Sequence, residues 1–244
     1  MYFLDIENYT FNQNRRNNSA FKYMKREIIV TKDGSTTIYF PEINETYHSK
    51  FGAILESNHV FIEMGLKLFL NKSHISLLEI GFGTGLNALL TFLDIKKTKQ
   101  SIDYVGVEAY PVPQSEILQM NFTEVLNNKE VETVFKKMHS CDWNKKIELT
   151  KNFSITKRHQ FFQEINDVNA YDLIYFDAFG YRIEPELWSK EIFEKMYNAL
   201  KINGLLVTYA CRSSIKNDMI AIGFKVEKLP GAPGKREMLR ATKI

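Results

Sequence analysis

Cysteine is almost missing from this chain: Cys141 and Cys211 are the only two, too few for a disulfide framework. Long apolar runs are missing as well, and none reaches the roughly 18 residues that a membrane helix needs. The start, MYFLDIENYT, soon turns polar and basic and carries no apolar stretch with a small-residue cleavage site, so no secretory signal is expected. The histidines, His48, His59, His74, His139 and His159, are scattered. His139 and Cys141 lack two further ligands at zinc spacing, so no metal is expected. An excess of charge is absent too: 32 Lys and Arg stand against 29 Asp and Glu, net +3. Binding of nucleic acid by the surface as a whole is therefore excluded, and any such contact must come from local patches. The default expectation is a soluble, cytoplasmic protein with no membrane partner. What is present is a chain of 244 residues, 44% hydrophobic, enough for one domain of moderate size with an added arm.

The opening third reads as an extension. REIIVTKDGSTTIYF predicts a hairpin with strands Glu27–Thr31 and Thr36–Phe40 turning at Asp33-Gly34. From Glu45 onward a loop leads into a helix, in which Val60, Phe61, Met64, Leu68 and Phe69 recur at helical spacing and form a core stripe. From Ser76 strand and helix alternate. SLLEI is followed by a glycine turn and a helix over Leu86–Lys96, then by the strand IDYVGVE and a helical stretch over Pro113–Leu126, with Ser115 as its cap. A strand near Phe153–Thr156, a helix near Phe161 and the strongly apolar strand YDLIYF come next. A helix over Trp188–Leu200 should stop at the Asn203-Gly204 turn. GLLVTYA, a helix over Ile215–Ile222, GFKVEKL and REMLRATK close the chain, the last two strands joined by a short Pro/Gly loop and so antiparallel. This alternation predicts an α/β fold with a seven-stranded, mostly parallel sheet covered on both faces and an antiparallel last strand. The expected division is an N-terminal extension over residues 1–70 and a catalytic domain over 71–244.

The strongest motif is Glu79-Ile80-Gly81-Phe82-Gly83-Thr84-Gly85, placed directly between a strand and a helix. Glycines let backbone bend tightly and come close to a ligand, and the helix start offers free amides. No Gly-Lys-Ser/Thr of a P-loop follows, and Leu86 stands where a dinucleotide fingerprint needs its third glycine. Two acids close later strands: Glu108 ends IDYVGVE and Asp177 follows YDLIYF. In open α/β sheets the chemistry lies beyond those strand ends.

The turn resembles motif I of the class I S-adenosylmethionine-dependent methyltransferases, E-x-G-x-G-x-G. That resemblance implies a Rossmann-like fold and S-adenosyl-L-methionine as cofactor. It assigns cofactor binding to Glu79, Gly81, Phe82, Gly83, Thr84, Gly85, Asn87, Glu108 and Ala109, with Glu79 toward the donor's ammonium and Glu108 toward its ribose. Longer blocks are more specific. IYFDAFGYRIEPELW, GLLVTYA, GFKVEKLPGAPGKREMLRA and the earlier ETYHSKFGAILESNHVFIEMGL resemble the methyltransferase module of the tRNA wobble-uridine enzymes called MnmC and its stand-alone form MnmD, over roughly residues 36–243. The implied reaction converts aminomethyl-(2-thio)uridine to methylaminomethyl-(2-thio)uridine, with tRNA as partner. Asp177 matches the acid near the amine and is the expected catalytic residue; Phe179, Lys235 and Arg236 match substrate positions, and Tyr47, Ser49 and Glu56 match the opening block. Pro185 and Trp188 match the family's turn into a helix.

Three departures from that pattern stand out. SITKRHQFF lacks the acid that two-part relatives place by the adenine in a Gly-Asp-Ala. Cys211-Arg212-Ser213-Ser214 replaces a glycine- or lysine-rich turn. No second glycine fingerprint is present for a flavin oxidase domain, so only the final methylation is expected, from a monomer. Basic clusters at Arg15, Arg16, Lys22, Lys25 and Arg26, at Lys157 and Arg158, and near the C-terminus are candidate phosphate contacts. The alternative function is a small-molecule amine methyltransferase or a polyamine aminopropyltransferase. Such a polycation would favour several acids around the site, whereas Asp177 is followed by Ala178, Phe179, Gly180, Tyr181 and Arg182.

Overall fold

The computed structural model describes residues 24–244, so Arg15, Arg16 and Lys22 of the basic arm lie outside the described residues. A three-stranded antiparallel sheet comes first, formed by β1 (Glu27–Val30), β2 (Thr36–Phe40) and β3 (Glu45–Thr46). The hairpin turns where Asp33 and Gly34 direct it: Gly34 has φ 84°, and the Asp33 carboxylate accepts from the Ser35 amide at 3.1 Å.

The helix expected beyond Glu45 is not one regular helix. It starts as α1 (Ala53–Ser57), widens into a π-helical turn over Asn58–Glu63, and restarts after Gly65 as a 3-10 turn over Leu66–Phe69. Each change of winding rotates the apolar face. Val60, Phe61 and Phe69 are therefore buried, whereas Leu68, expected in the core, is 49% exposed. A side chain on Gly65 would stand 2.6 Å from the Phe61 carbonyl oxygen, so the two turns can pack this closely only with glycine there.

The main sheet holds β4 (His74–Ile80), β5 (Ser101–Glu108), β6 (Lys146–Thr150), β7 (Phe153–His159), β8 (Tyr171–Phe176), β9 (Leu200–Thr208), β10 (Phe224–Pro230) and β11 (Glu237–Lys243). Their order is β10-β11-β9-β8-β4-β5-β7-β6. Pairings from β9 through β7 are parallel, and β10, β11 and β6 are antiparallel to their neighbours. The sheet thus has one strand more than the seven expected, the edge strand β6, in which only Leu149 is buried. Every residue of β8 is buried, the pattern of a strand covered on both faces. Its one acid, Asp172, is held by Lys72 at 2.6 Å and Lys201 at 2.9 Å.

Seven α-helices complete the described chain: α1, α2 (Leu86–Ile95), α3 (Gln114–Ile117), α4 (Phe122–Val125), α5 (Lys129–Ser140), α6 (Lys190–Ala199) and α7 (Ser213–Ile222). One apolar core joins the N-terminal sheet, α1, α2 and α5 on one face; a second holds α6 and α7 on the other. The stretch over Pro113–Leu126 is two short helices, and Ser115 lies inside α3 rather than capping it. The Asn203-Gly204 turn does not end a helix. α6 has already stopped at Ala199, and the pair lies inside β9, where Asn203 has φ 62° and the register with β8 shifts. Among the described residues no helix is long and apolar enough to cross a membrane, and no group of His, Cys, Asp and Glu is arranged to hold a metal.

Register fixes what meets at the sheet's carboxyl edge. Ile80 pairs with Val107 on one side and with Phe176 on the other, and Glu108 pairs with His159. The segments after β8, β4, β5 and β7 therefore emerge side by side, carrying Asp177, the glycine turn, Glu108 and Phe161 in that order.

Candidate cofactor and substrate site

Those segments floor a cavity of about 550 Å³, roofed by β3, the loop over His48–Phe51 and the β10–β11 loop. The glycine turn is shaped by three left-handed residues, Gly81 (φ 86°), Gly83 (φ 49°) and Gly85 (φ 73°). Each permits something different. A Cβ on Gly81 would stand 2.5 Å from the Asp177 carbonyl oxygen, so β4 and β8 can end together only with glycine there. The Asp177 amide completes that join, donating to Ile80 O at 2.9 Å. Gly83 opens toward the cavity, where a Cβ would meet only the Tyr47 ring at 3.4 Å. Gly85 starts α2 and lies against His139 and Met138.

Asn87, the second residue of α2, links two acids. Its Nδ2 donates to Glu79 at 2.9 Å and to Asp177 at 2.8 Å. Glu79 is fully buried and does not line the cavity, whereas Asn87 and Asp177 do. Burial pushes the Glu79 carboxyl well above the usual range, and the charges of Asp177 and Glu108 push it further. Glu79 Oε2, Asn87 Oδ1 and the Tyr104 hydroxyl are buried with no hydrogen-bond partner. Two orphaned acceptors are costly unless a donor reaches them.

Glu108 accepts the Gly83 amide at 3.0 Å and the Tyr110 amide at 2.8 Å, so its carboxylate is fixed with a lone pair free on each oxygen. Burial raises its pKa, opposed by the backbone amides of Tyr110, Gly83 and Ala109 and by His159. Asp177 is pushed up to about 7, first by burial and then by the charge of Glu56; the Asn87 bond and Lys235 oppose the rise.

The roof is tied to this floor. Glu56 of α1 accepts the Ser49 amide at 2.9 Å and forms an ion pair with Lys235 from the β10–β11 loop. The Lys235 ammonium lies 3.8 Å from the centroid of Tyr209, whose hydroxyl donates to Ala178 O at 2.8 Å. Tyr47, Phe40 and Phe179 form an aromatic wall: Tyr47 stacks on Phe40 at 5.7 Å and meets Phe179 edge-on at 4.9 Å. Trp188 Nε1 holds the Phe179 carbonyl at 2.6 Å.

Most of the residues expected from sequence line this cavity: Tyr47, Glu56, Gly81, Phe82, Gly83, Thr84, Asn87, Glu108, Ala109, Asp177, Phe179 and Lys235. Glu79, Gly85 and Arg236 are not in its lining, and Arg236 is exposed. Phe82 turns its ring into the core, filling the slot left by Gly106 and meeting Trp143 edge-on at 6.2 Å. Thr84 is 1% exposed, and its hydroxyl shares a hydrogen bond of 3.1 Å with His48 Nε2. Burial lowers His48 to about 4, so the ring is neutral and ties the hairpin to the glycine turn through Thr37 at 3.0 Å. Glu184, Tyr209 and His48 also line the cavity, and no local pattern in the sequence marks them. Phe161 and Phe162 line the cavity just past β7, where a helix was expected and only a 3-10 turn over Phe162–Glu164 forms.

The cavity fits an adenosyl sulfonium. Asn87 Oδ1 offers an acceptor to an ammonium, Gly83 leaves an open cradle, Glu108 presents two oxygens to a diol, and Tyr110, Phe161 and Phe162 offer flat apolar surface to a base.

Comparisons with known proteins agree. The model of the S-adenosyl-L-methionine-dependent methyltransferase family matches residues 119–244, slightly more than half of the chain. The "tRNA 5-methylaminomethyl-2-thiouridine biosynthesis bifunctional protein MnmC" of Hydrogenovibrio crunogenus is 26% identical over 240 residues, covering 91% of this chain and 35% of that protein. Its counterpart in Magnetococcus marinus is 28% identical over 218 residues, covering 84% and 32%. The chain thus spans about a third of the length of these curated relatives. Among solved structures, MNMC2 from Aquifex aeolicus superposes with a TM-score of 0.72 at 21% identity, covering 91% of this chain and 71% of that one. A probable spermidine synthase from Corynebacterium glutamicum gives 0.52 at 16% identity, covering 91% and 78%. Both show the shared class I α/β methyltransferase fold, with the small antiparallel sheet added at the N-terminal side. The chain belongs to the S-adenosyl-L-methionine-dependent methyltransferase family, and S-adenosyl-L-methionine is its methyl donor.

Proposed function

We propose that this chain methylates the exocyclic primary amine of 5-aminomethyl-(2-thio)uridine at the wobble position of tRNA, giving the methylaminomethyl form. The observation that carries this reading is Asp177, an acid at the top of β8 held by Asn87 on the cofactor side and facing Lys235 and the aromatic wall on the other. The curated relatives named for tRNA 5-methylaminomethyl-2-thiouridine biosynthesis support the choice of acceptor.

S-adenosyl-L-methionine, when bound, supplies a methyl group that an amine lone pair takes in line as the carbon–sulfur bond breaks. An ammonium has no lone pair, so the protein must hold the amine uncharged at that moment. Ionised Asp177 accepts the proton and orients the nitrogen. The Lys235 ammonium nearby disfavours a second positive charge on the substrate. Phe179, Tyr47 and Phe40 offer stacking surface to the uracil ring. Arg26 and Lys50 at the same cavity suit the flanking phosphates. In this reading residues 71–244 are the catalytic domain, residues 1–70 an N-terminal extension whose described part roofs it, and the protein acts in the cytoplasm.

The direct test is nucleoside mass analysis of bulk tRNA from cells lacking the chain. Aminomethyl-(2-thio)uridine should accumulate; an unchanged nucleoside profile would refute the assignment. Phosphate contacts also impose a salt law. Methylation of aminomethyl tRNA should fall roughly tenfold or more between 50 and 200 mM salt, and a flat response would point to a small substrate.

A polyamine acceptor is the second reading, and one observation favours it. The segment after Asp177 is poor in acids, yet the cavity is not: Glu45, Glu56, Glu108 and Glu184 line it too. Turnover of putrescine or spermidine by the purified protein, with the tRNA product absent, would select that reading.

A further inference from the structure

The exposed residues of the cavity lining, Asn44, Lys50, Phe51, Gln163 and Gly234, mark its mouth. Around that mouth three cations lie on aromatic rings rather than beside acids. Lys32 Nζ is 4.3 Å from the centroid of Phe51, Lys50 Nζ is 4.3 Å from that of Tyr39, and the Arg212 guanidinium carbon is 4.2 Å from that of Tyr181. Among the described residues no acid pairs with any of the three, whereas Lys96, Lys136 and Lys145, just as exposed, each hold one. The first two belong to the roof. The Lys32 amide donates to Lys50 O at 3.1 Å, and Phe51 packs on Gly234 of the β10–β11 loop, where a Cβ would strike its ring. The third belongs to the floor. Tyr181 follows Gly180 of the lining and packs with Tyr209 on the second core, and Arg212 immediately precedes α7. Arg182 ties the two lips together, donating to Ile43 O at 3.1 Å and pairing with Glu45 at 3.3 Å.

A cation held on a ring presents positive charge and flat apolar surface at one point. A cationic amine gains nothing from that pairing, because the charge repels it. A duplex uses only half of it, because its bases face inward on one another. Single-stranded RNA uses both halves, a phosphate for the cation and an unstacked base for the ring. We propose that the two lips grip the nucleotides on either side of the target as an unpaired strand, with phosphates on Lys32, Lys50 and Arg212 and bases along Phe51, Tyr39 and Tyr181. The target base alone then enters the cavity. This inference rests on the tRNA reading and adds to it which part of the RNA is held and by which residues. A nucleoside lifted out of a loop loses its stacking on both neighbours. Lips that supply rings to those neighbours replace the lost stacking and hold them apart. Cys211-Arg212-Ser213-Ser214, where a glycine- or lysine-rich turn was expected, gains a role in this arrangement: it carries the cation of the lower lip.

The test measures binding to the full chain by fluorescence anisotropy, with S-adenosylhomocysteine present. The probes are a labelled RNA hairpin whose loop carries the target uridine, and the same RNA annealed to its complement. The wild type should hold the hairpin at least about tenfold more tightly than the duplex. Lys32→Ala and Arg212→Ala should each flatten the slope of log affinity against log salt by about 0.7, the share of one phosphate contact on a single strand. Tyr181→Ala should weaken hairpin binding by about fivefold or more and leave the slope unchanged, since a stacked base releases no counterion. Lys99→Ala, just before β5 at the opposite edge of the sheet, should change neither. Equal affinity of the wild type for hairpin and duplex overturns the proposal. So does a wild-type slope in either cation variant, and so does wild-type hairpin affinity in Tyr181→Ala. A wild type that binds neither RNA overturns the tRNA reading as well, so the two failures are told apart.

Discussion

Asp177→Ala should lower kcat for amine methylation by about 10²–10⁴-fold, the range for removal of a positioned general base. Its affinity for S-adenosylhomocysteine should change little. The separation follows from how Asn87 is held: its Nδ2 keeps the Glu79 bond when the Asp177 bond is lost, so the amino-acid end of the donor site persists. The pH profile gives a second readout. Burial holds Asp177 near 7, so the group is protonated below that value and ionised above it. Only the ionised form can take a proton from the amine, so kcat should rise with pH through about 7. Asp177→Asn keeps the shape and removes that limb of the profile. Measurement of kcat across pH 5.5–8.5, paired with calorimetry, separates the roles. Loss of donor affinity with kcat preserved would make Asp177 a cofactor ligand instead.

What the sequence makes legible is what local chemistry dictates. Gly81, Gly83 and Gly85 stand between an apolar strand and an apolar helix, and all three adopt left-handed backbone that other residues avoid. Glu108 and Asp177 were readable because an acid just past a buried apolar run has no core reason to be there. Long-range pairing was not readable. Nothing near Glu56 reveals that Lys235 will meet it, since only the folding of the β10–β11 loop over α1 brings them together. Glu184 was hidden for another reason. Next to Pro185 and Glu186 it resembles one more polar turn residue, and only the 3-10 turn that buries Trp188 turns it inward. Phe82 has two places at once: it lines the cavity between the glycines, and its ring fills a gap that Gly106 on β5 leaves beneath it. β6 escaped notice because KIELT, with a single buried residue, has neither the apolar run nor the clean alternation that marks a strand.

Gly83→Val should abolish donor binding in a protein that still folds, and the two effects separate on geometry. At Gly83 a Cβ meets Tyr47 at 3.4 Å and no backbone atom nearer than Gly81 O at 3.9 Å, so the chain itself has room. The left-handed backbone at φ 49° is strained for a β-branched residue by about 1–3 kcal/mol, a cost in stability that the fold should survive. The two methyl groups, however, project into the cradle between Tyr47 and the Gly83 amide, which must stay in place to hold Glu108 at 3.0 Å. Overpacking of that kind costs a further 1–3 kcal/mol or so, and displacement of Glu108 removes the diol's acceptor as well. The affinity for S-adenosylhomocysteine should fall by about a hundredfold or more. Gly83→Ala, which adds one carbon at ordinary contact distance, should fall between the two. Gly81→Ala should behave differently, since its Cβ would lie 2.5 Å from the Asp177 carbonyl oxygen and force β4 and β8 apart. It should lose thermal stability along with binding. Calorimetry and thermal unfolding on the three variants distinguish these outcomes. Wild-type affinity in a folded Gly83→Val protein would move the donor away from the glycine turn.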